Sequence, residues 1–232
     1  MTEAGTIASY LAARPYPGRG LVLNRSDDGA VTVSIFLTGR SHASQARTLV
    51  HAHGAFEVVP TDGVADDPLR HYHGMIARGM RLVAGNGRQV SDIAASGAGP
   101  ATGEGEIRRQ MYEPDPPIFT PRLSAIVDPD GAPQALLGIA FRGGSGDVKH
   151  RLEQISMLTP GDVWLMHTYD GNVNAPNAEG FIVQLRGDDT GTCGAQAIWN
   201  ALHLQYRVAV GSVTTHPGIN WADGEWVTQH RE

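Results

Sequence analysis

The chain has 232 residues, 41% of them hydrophobic, which is enough to bury a sizeable core without disulfides or a structural metal. Eighteen basic residues against 24 acidic ones leave a formal charge of −6 and a pI near 5.9, so the broad basic face of a nucleic-acid-binding protein is excluded. No apolar run approaches the roughly 18 residues that cross a bilayer, and no signal peptide is evident, so a cytoplasmic protein with no membrane partner is expected.

In chain order, Thr6 to Arg14 predicts a short helix that stops before Pro15, where the pre-proline position disfavours helix. Gly20–Arg25 and Ala30–Thr38 are apolar, β-branched runs joined by Ser26-Asp27-Asp28-Gly29, a hairpin signal. Strand pairs are expected again at Thr48–His53 and Phe56–Pro60, turning at Gly54, and at Tyr72–Ala77 and Arg81–Ala84, turning at Arg78-Gly79. Gln89 to Met111 shows helical spacing in two pieces, split by the glycine-rich break Gly97–Gly105. After the proline-rich segment Glu113–Pro121 come strands at Leu123–Val127, Ala135–Phe141, Val163–Thr168 and Phe181–Leu185. Thr192–Tyr206 carries the apolar stripe Ala195, Ile198, Trp199, Leu202, with Thr190 or Thr192 placed to cap it. A last strand is expected at Arg207–Thr215, with a terminal turn at Asp223–Trp226. Strand pairs alternating with helices fit antiparallel sheets covered by helices better than βαβ units. No linker divides the chain, so residues 1–232 are expected to form one domain.

Several chemistries are excluded by what is missing. There is no G-x-x-x-x-G-K-[ST] loop, no G-x-G-x-x-G before a helix and no G-x-S-x-G elbow. The pairs His51-x-His53 and His71-x-His73 place two imidazoles on one strand face, as a metal chelate would, yet neither has a recognisable third ligand. A structural or surface role is expected for them, and no metal site. The lone Cys193 has no base beside it and reads as a small buried hydrophobe.

A stronger signal comes from polar segments that folding does not require: Tyr16-Pro-Gly-Arg-Gly20, Thr38-Gly-Arg-Ser41, Asn86-Gly87, Glu113-Pro-Asp-Pro-Pro-Ile-Phe-Thr-Pro-Arg122, Thr168-Tyr-Asp-Gly171 and Thr215-His-Pro217. Arg19, Arg40, Arg47, Arg88 and Arg122 lie in or near them, in a chain of net negative charge. Lysine is nearly absent, Lys149 alone, so the cations are guanidiniums whose forked donors suit a phosphate. Glu113 and Asp115 each precede a proline, which holds their backbones extended and their carboxylates stiffly presented.

In order and spacing these segments resemble the archaeal-type IMP cyclohydrolase family, from about Tyr16 to about Trp226, with residues 1–15 as a variable lead-in. The resemblance implies an α+β fold, a four-layer αββα sandwich of two mainly antiparallel sheets similar to the N-terminal-nucleophile hydrolases. It implies closure of 5-formamidoimidazole-4-carboxamide ribonucleotide to IMP with loss of water, without cofactor or metal. A purine nucleotide would be its ligand, in a homo-oligomer. The family's functional arginine, tyrosine and glutamate fall on Arg40, Tyr72 and Glu113. Arg40, assisted by Tyr72 or Asn86, would meet the developing oxyanion, while Glu113 and Tyr72 share the acid and base roles. Substrate contacts would come from Arg19, Ser41, Arg47, Asn86, Asp115, Thr120, Arg122, Tyr169 and His216, with the phosphate on Arg19, Arg47 or Arg122. The chain departs from the family pattern at Arg88, Gln89 and Val90, which admits a related ring-closing or ring-opening enzyme on a purine-like analogue. An amidohydrolase using Thr2 after loss of Met1, and a non-catalytic nucleotide-binding protein, are the readings from other classes.

Overall fold

The structure, a computed structural model, describes residues 2–64, 67–186 and 193–231. Its elements are β1 (Thr2–Ala4), α1 (Ile7–Ala12), β2 (Arg19–Arg25), β3 (Val31–Thr38), α2 (His42–Gln45), β4 (Arg47–Ala52) and β5 (Ala55–Pro60). They continue with β6 (Tyr72–Arg78), β7 (Arg81–Gly85), α3 (Gln89–Ser96), α4 (Glu104–Arg108), β8 (Arg122–Val127), β9 (Ala135–Arg142) and β10 (Val148–Ile155). The last are β11 (Asp162–His167), β12 (Phe181–Arg186), α5 (Ala195–Ala201), β13 (Arg207–Thr215) and β14 (Glu225–His230).

Two seven-stranded sheets result, ordered β1-β12-β11-β2-β3-β13-β14 and β10-β9-β8-β7-β6-β5-β4. All neighbours are antiparallel except β1, which joins β12 in parallel. The period of two in the side chains decides what each face does. In β3, Val31, Val33, Ile35 and Leu37 point into a core shared with Leu49, Phe56, Met75, Leu82, Leu123 and Leu137 of the second sheet. Phe36 points the other way, into a separate cluster with Ile7, Leu11 and Ile198 from α1 and α5. On the far side of the second sheet, Val83, Ile126 and Leu136 pack under Val90 and Ile93 of α3 and Ile107 of α4. The layers therefore run helix, sheet, sheet, helix, as an α+β sandwich.

Local chemistry sets the boundaries. Thr6 caps α1 by accepting from Ser9 N–H at 3.1 Å, and Ser9 Oγ accepts from Thr6 N–H in return. That helix ends at Ala12, two residues short of the predicted bound. The predicted helix Thr192–Tyr206 is realised only over Ala195–Ala201, because Leu202 turns extended; its proposed caps, Thr190 and Thr192, lie outside the described residues. Cys193 is buried against that helix's apolar face. Three strands go beyond the sequence expectation: β1, β10 and β14. The β10 sequence Val-Lys-His-Arg-Leu-Glu-Gln-Ile pairs along its whole length with β9 but carries polar side chains at five of its eight positions, as an edge strand tolerates. The terminal segment expected as a turn instead leads into β14, which pairs with β13 and packs Trp226 on the core.

Candidate active site

Antiparallel pairing gathers one end of the sandwich into a site. The starts of β2, β4, β6 and β8 and the ends of β3, β7 and β11 all fall at that end. Arg19, Arg47, Tyr72 and Arg122 are first residues of their strands, and Thr38, Asn86 and Thr168 close or follow theirs. Between them opens a cleft of about 480 Å³, lined by Arg19, Arg40, Ser41, Arg47, Glu113, Asp115, Thr120 and Tyr169 from the sequence expectation. Tyr16, Thr38, Ser44, Asp67, Arg70 and Ile118 also line it.

Its approach is set by Gly18, whose φ of +79° is one that L side chains rarely adopt. A Cβ there would strike Thr168 Oγ1 and the Tyr169 ring, so glycine is needed for β2 to enter beside them. The loop between α4 and β8 is closed on itself by Glu113 N–H to Thr120 O at 2.8 Å and by Ile118 and Phe119 N–H to Asp115 O. That closure presents Glu113 inward.

The charges are arranged unequally. Arg19 meets Glu113 with both prongs, Nη1 to Oε1 at 2.9 Å and Nη2 to Oε2 at 2.6 Å, and Nη1 also reaches Asn86 O at 2.9 Å. Burial disfavours the Arg19 cation, but the Glu113 carboxylate more than offsets it, so its pKa stands well above the ordinary arginine value. Arg122 donates to Gln89 Oε1 at 2.7 Å and lies 4.0 Å from Glu113. Arg47 differs. Its Nε donates to Ser44 O at 2.9 Å and its Nη2 to Thr38 O at 3.2 Å, both backbone carbonyls. Burial lowers its pKa, and no carboxylate among the described residues forms an ion pair with it. Tyr72, only 4% exposed and within electrostatic range of Arg19 and Arg47, has a buried hydroxyl with no hydrogen-bond partner among the described residues. Of these two desolvated donors Arg47 lines the cleft, whereas Tyr72, expected as a catalytic residue, does not: its hydroxyl is enclosed behind the lining.

Other predicted residues have different places. Arg40 is exposed at the mouth, donating to Val173 O with its guanidinium 5.4 Å above the Tyr16 ring. Ser41 caps α2 in a reciprocal pair with Ser44. Asn86 lies behind the wall with its side chain committed: Nδ2 to Pro121 O at 2.8 Å, and Oδ1 accepting from Leu123 N–H at 2.7 Å. It fixes the fold under the cleft, and its amide is not presented to a ligand. Arg122 is likewise behind the lining. His216 is not brought to the site at all. It follows Thr215, which pairs with Val31, whereas the cleft sits at Thr38 at the other end of β3. Of the paired histidines, His51 stacks on Trp226 at 4.6 Å and His71 bonds Glu57 at 2.9 Å, and neither lines the cleft. Among the described residues no group of three or more His, Cys, Asp or Glu could hold a metal ion, and no helix is long and apolar enough to cross a membrane.

Arg70 was missed in the sequence because no motif surrounds it. It ties Asp62 and Asp67 together at the cleft and donates to the Ala43 carbonyl. The Asp67-x-x-Arg70 spacing was the available signal. Tyr16 was legible only as part of its motif; it stacks on Tyr169 at 5.4 Å. Burial raises the pKa of both phenols despite the nearby arginines, so both stay protonated at neutral pH.

No curated protein matches the chain. A family model described as IMP cyclohydrolase-like protein matches residues 16–218, which takes in every segment that builds the cleft. The chain belongs to the IMP cyclohydrolase-like family.

Proposed function

We propose that this protein closes the purine ring of 5-formamidoimidazole-4-carboxamide ribonucleotide, giving IMP and water. The observation that carries this beyond family membership is Arg47: a buried guanidinium at the cleft with no ion-pair partner among the described residues. An isolated buried cation is costly, and a ligand phosphate would supply its counter-charge through forked hydrogen bonds. Arg19 and Arg122 are already engaged by Glu113 and Gln89, which ranks Arg47 first for the phosphate.

In the reaction the carboxamide nitrogen adds to the formyl carbon and gives up one of its two protons as the C–N bond forms. The formyl oxygen becomes a hydroxyl, and that hydroxyl leaves as water while the formamide nitrogen loses its proton and the ring C=N bond forms. Both groups belong to one molecule, so fixing them in a near-attack arrangement supplies much of the acceleration. The orphaned Tyr72 hydroxyl, enclosed behind the lining, would donate to the formyl oxygen as it gathers charge once the ligand opens the wall to it, and would then be the acid that releases it. Glu113 takes the amide proton. Each of its oxygens has a lone pair beyond the one Arg19 occupies. Arg40, exposed at the mouth, is placed to reach a ligand once it leaves the Val173 carbonyl. The four layers would then be a member of the N-terminal-nucleophile-hydrolase architecture that makes no use of an N-terminal nucleophile. The strand bearing Thr2 is separated from β2 by β12 and β11.

The test is to mix purified protein with the formamido ribonucleotide, without folate or added metal, and follow the hypoxanthine chromophore. IMP formation above the uncatalysed control is expected. A folded protein that binds IMP and yields none would assign the cleft to another purine-like nucleotide or to binding alone. The departure at Arg88-Gln89-Val90, where Gln89 holds Arg122, would then be the place to look.

A further inference from the structure

Asp115, Thr120 and Tyr169 form a hydrogen-bond chain along one wall of the cleft, and chemistry fixes its direction. Asp115 Oδ1 accepts from Thr120 N–H at 2.7 Å, and Oδ2 lies 2.5 Å from Thr120 Oγ1. A carboxylate oxygen accepts, so the Thr120 hydroxyl donates to it. With that proton used, Thr120 Oγ1 only accepts, and the group 2.7 Å away is the Tyr169 hydroxyl, which must donate. Tyr169 Oη has then no proton left for the cleft and meets a ligand only as an acceptor. Its ring cannot swing away, being buried and stacked on Tyr16.

We propose that Tyr169 is a specificity-determining acceptor that selects a ligand N–H, and that Asp115 and Thr120 are positioning residues that impose this polarity on it. The identity of that N–H rests on the function proposed above: it is the carboxamide N–H of the substrate, retained as the ring N–H of the product. The three residues expected from sequence as equal contacts thus divide into one reader and two residues that set its polarity.

The deciding variant is Asp115→Asn. The Thr120 N–H keeps the amide oxygen in place, so the amide NH2 faces Thr120 Oγ1. That hydroxyl then donates to Tyr169, whose own proton turns into the cleft. Dissociation constants for IMP would be measured by calorimetry for the parent protein, Asp115→Asn, Tyr169→Phe and the double variant. Tyr169→Phe should weaken IMP by about two- to tenfold, the loss of one hydrogen bond. Asp115→Asn should weaken it further, because two donors then face each other, and the double variant should recover to the Tyr169→Phe level. Adding Asp115→Asn to Thr120→Val should change nothing, since the link is already cut. Parent-like affinity in Asp115→Asn, or a double variant weaker than either single, would overturn the proposal; a merely structural role would give such additive losses. A second readout needs no ligand. The tyrosine Fermi doublet in the Raman spectrum, taken as a difference against each Tyr169→Phe counterpart, should change from donor to acceptor in Asp115→Asn. If the parent protein does not bind IMP, the nucleotide reading fails, and the Raman difference still decides the polarity.

Discussion

Arg19 and Glu113 meet across the gap between the two sheets, Arg19 from β2 of one and Glu113 from the loop leading into β8 of the other, in a two-pronged pair of 2.9 and 2.6 Å. Both are almost wholly buried, at 7% and 2% exposure. The pair therefore joins the halves of the cleft as well as presenting a carboxylate to it. Glu113→Gln leaves a buried guanidinium without its counter-charge, which costs about 3 kcal/mol or more. Urea unfolding should show that loss, and turnover should fall far more than IMP affinity. An unchanged unfolding midpoint would mean that the pair gives no stability.

Arg47 makes the opposite prediction. Its charge has no ion-pair partner in the folded protein among the described residues, so Arg47→Met removes a cost and should leave stability equal or higher, while IMP affinity falls by roughly 100-fold or more. Inosine, lacking the phosphate, should bind both proteins alike. Equal loss for inosine and IMP would place the phosphate elsewhere.

Tyr72→Phe deletes only the orphaned hydroxyl. Removing an unsatisfied buried polar group should stabilise the protein by about 1 kcal/mol, seen as a raised Tm. The cyclisation rate should drop at least tenfold, in line with loss of a positioned acid. A variant as fast as the parent would take Tyr72 out of the mechanism.

His167, buried under α1, gives a pH prediction. Its Nδ1 lies 2.8 Å from Tyr169 O, a pure acceptor, so Nδ1 carries the proton and Nε2 accepts from Tyr10 OH at 2.8 Å. Burial lowers its pKa from 6.5 to about 4, and the bond to Tyr169 O only partly opposes this. Between those values the unfolded chain binds a proton that the folded one does not. Stability is therefore complete above about pH 6.5 and falls progressively toward pH 4, by on the order of 3 kcal/mol for this residue. Unfolding free energies measured across that window should slope upward with pH, and His167→Gln should flatten the slope.

Much of the fold was legible because period-two alternation and turn residues are local. The hairpin at Asp28-Gly29 and the strand pairs around Gly54 and Gly79 could be placed from neighbouring residues alone. β10 was not, since an edge strand with polar side chains at five of eight positions has only a half-buried face to advertise itself. Among site residues, the motif members Arg19, Arg40, Glu113 and Tyr169 all line the cleft. His216 belonged to a motif of the same kind, yet the antiparallel register sends it to the far end of β3.

The sequence by itself determined composition, the helix–strand pattern and a set of polar segments sharing one resemblance, because these depend on residues close in the chain. Only the tertiary structure decided which charges are already satisfied. Arg19, Arg47 and Arg122 are alike in sequence. Pairing across the two sheets gives Arg19 to Glu113, packing of α3 on the second sheet gives Arg122 to Gln89, and Arg47 is left with hydrogen bonds to backbone carbonyls alone. Burial then makes that difference matter, since a desolvated cation without a partner is what an anionic ligand would complete.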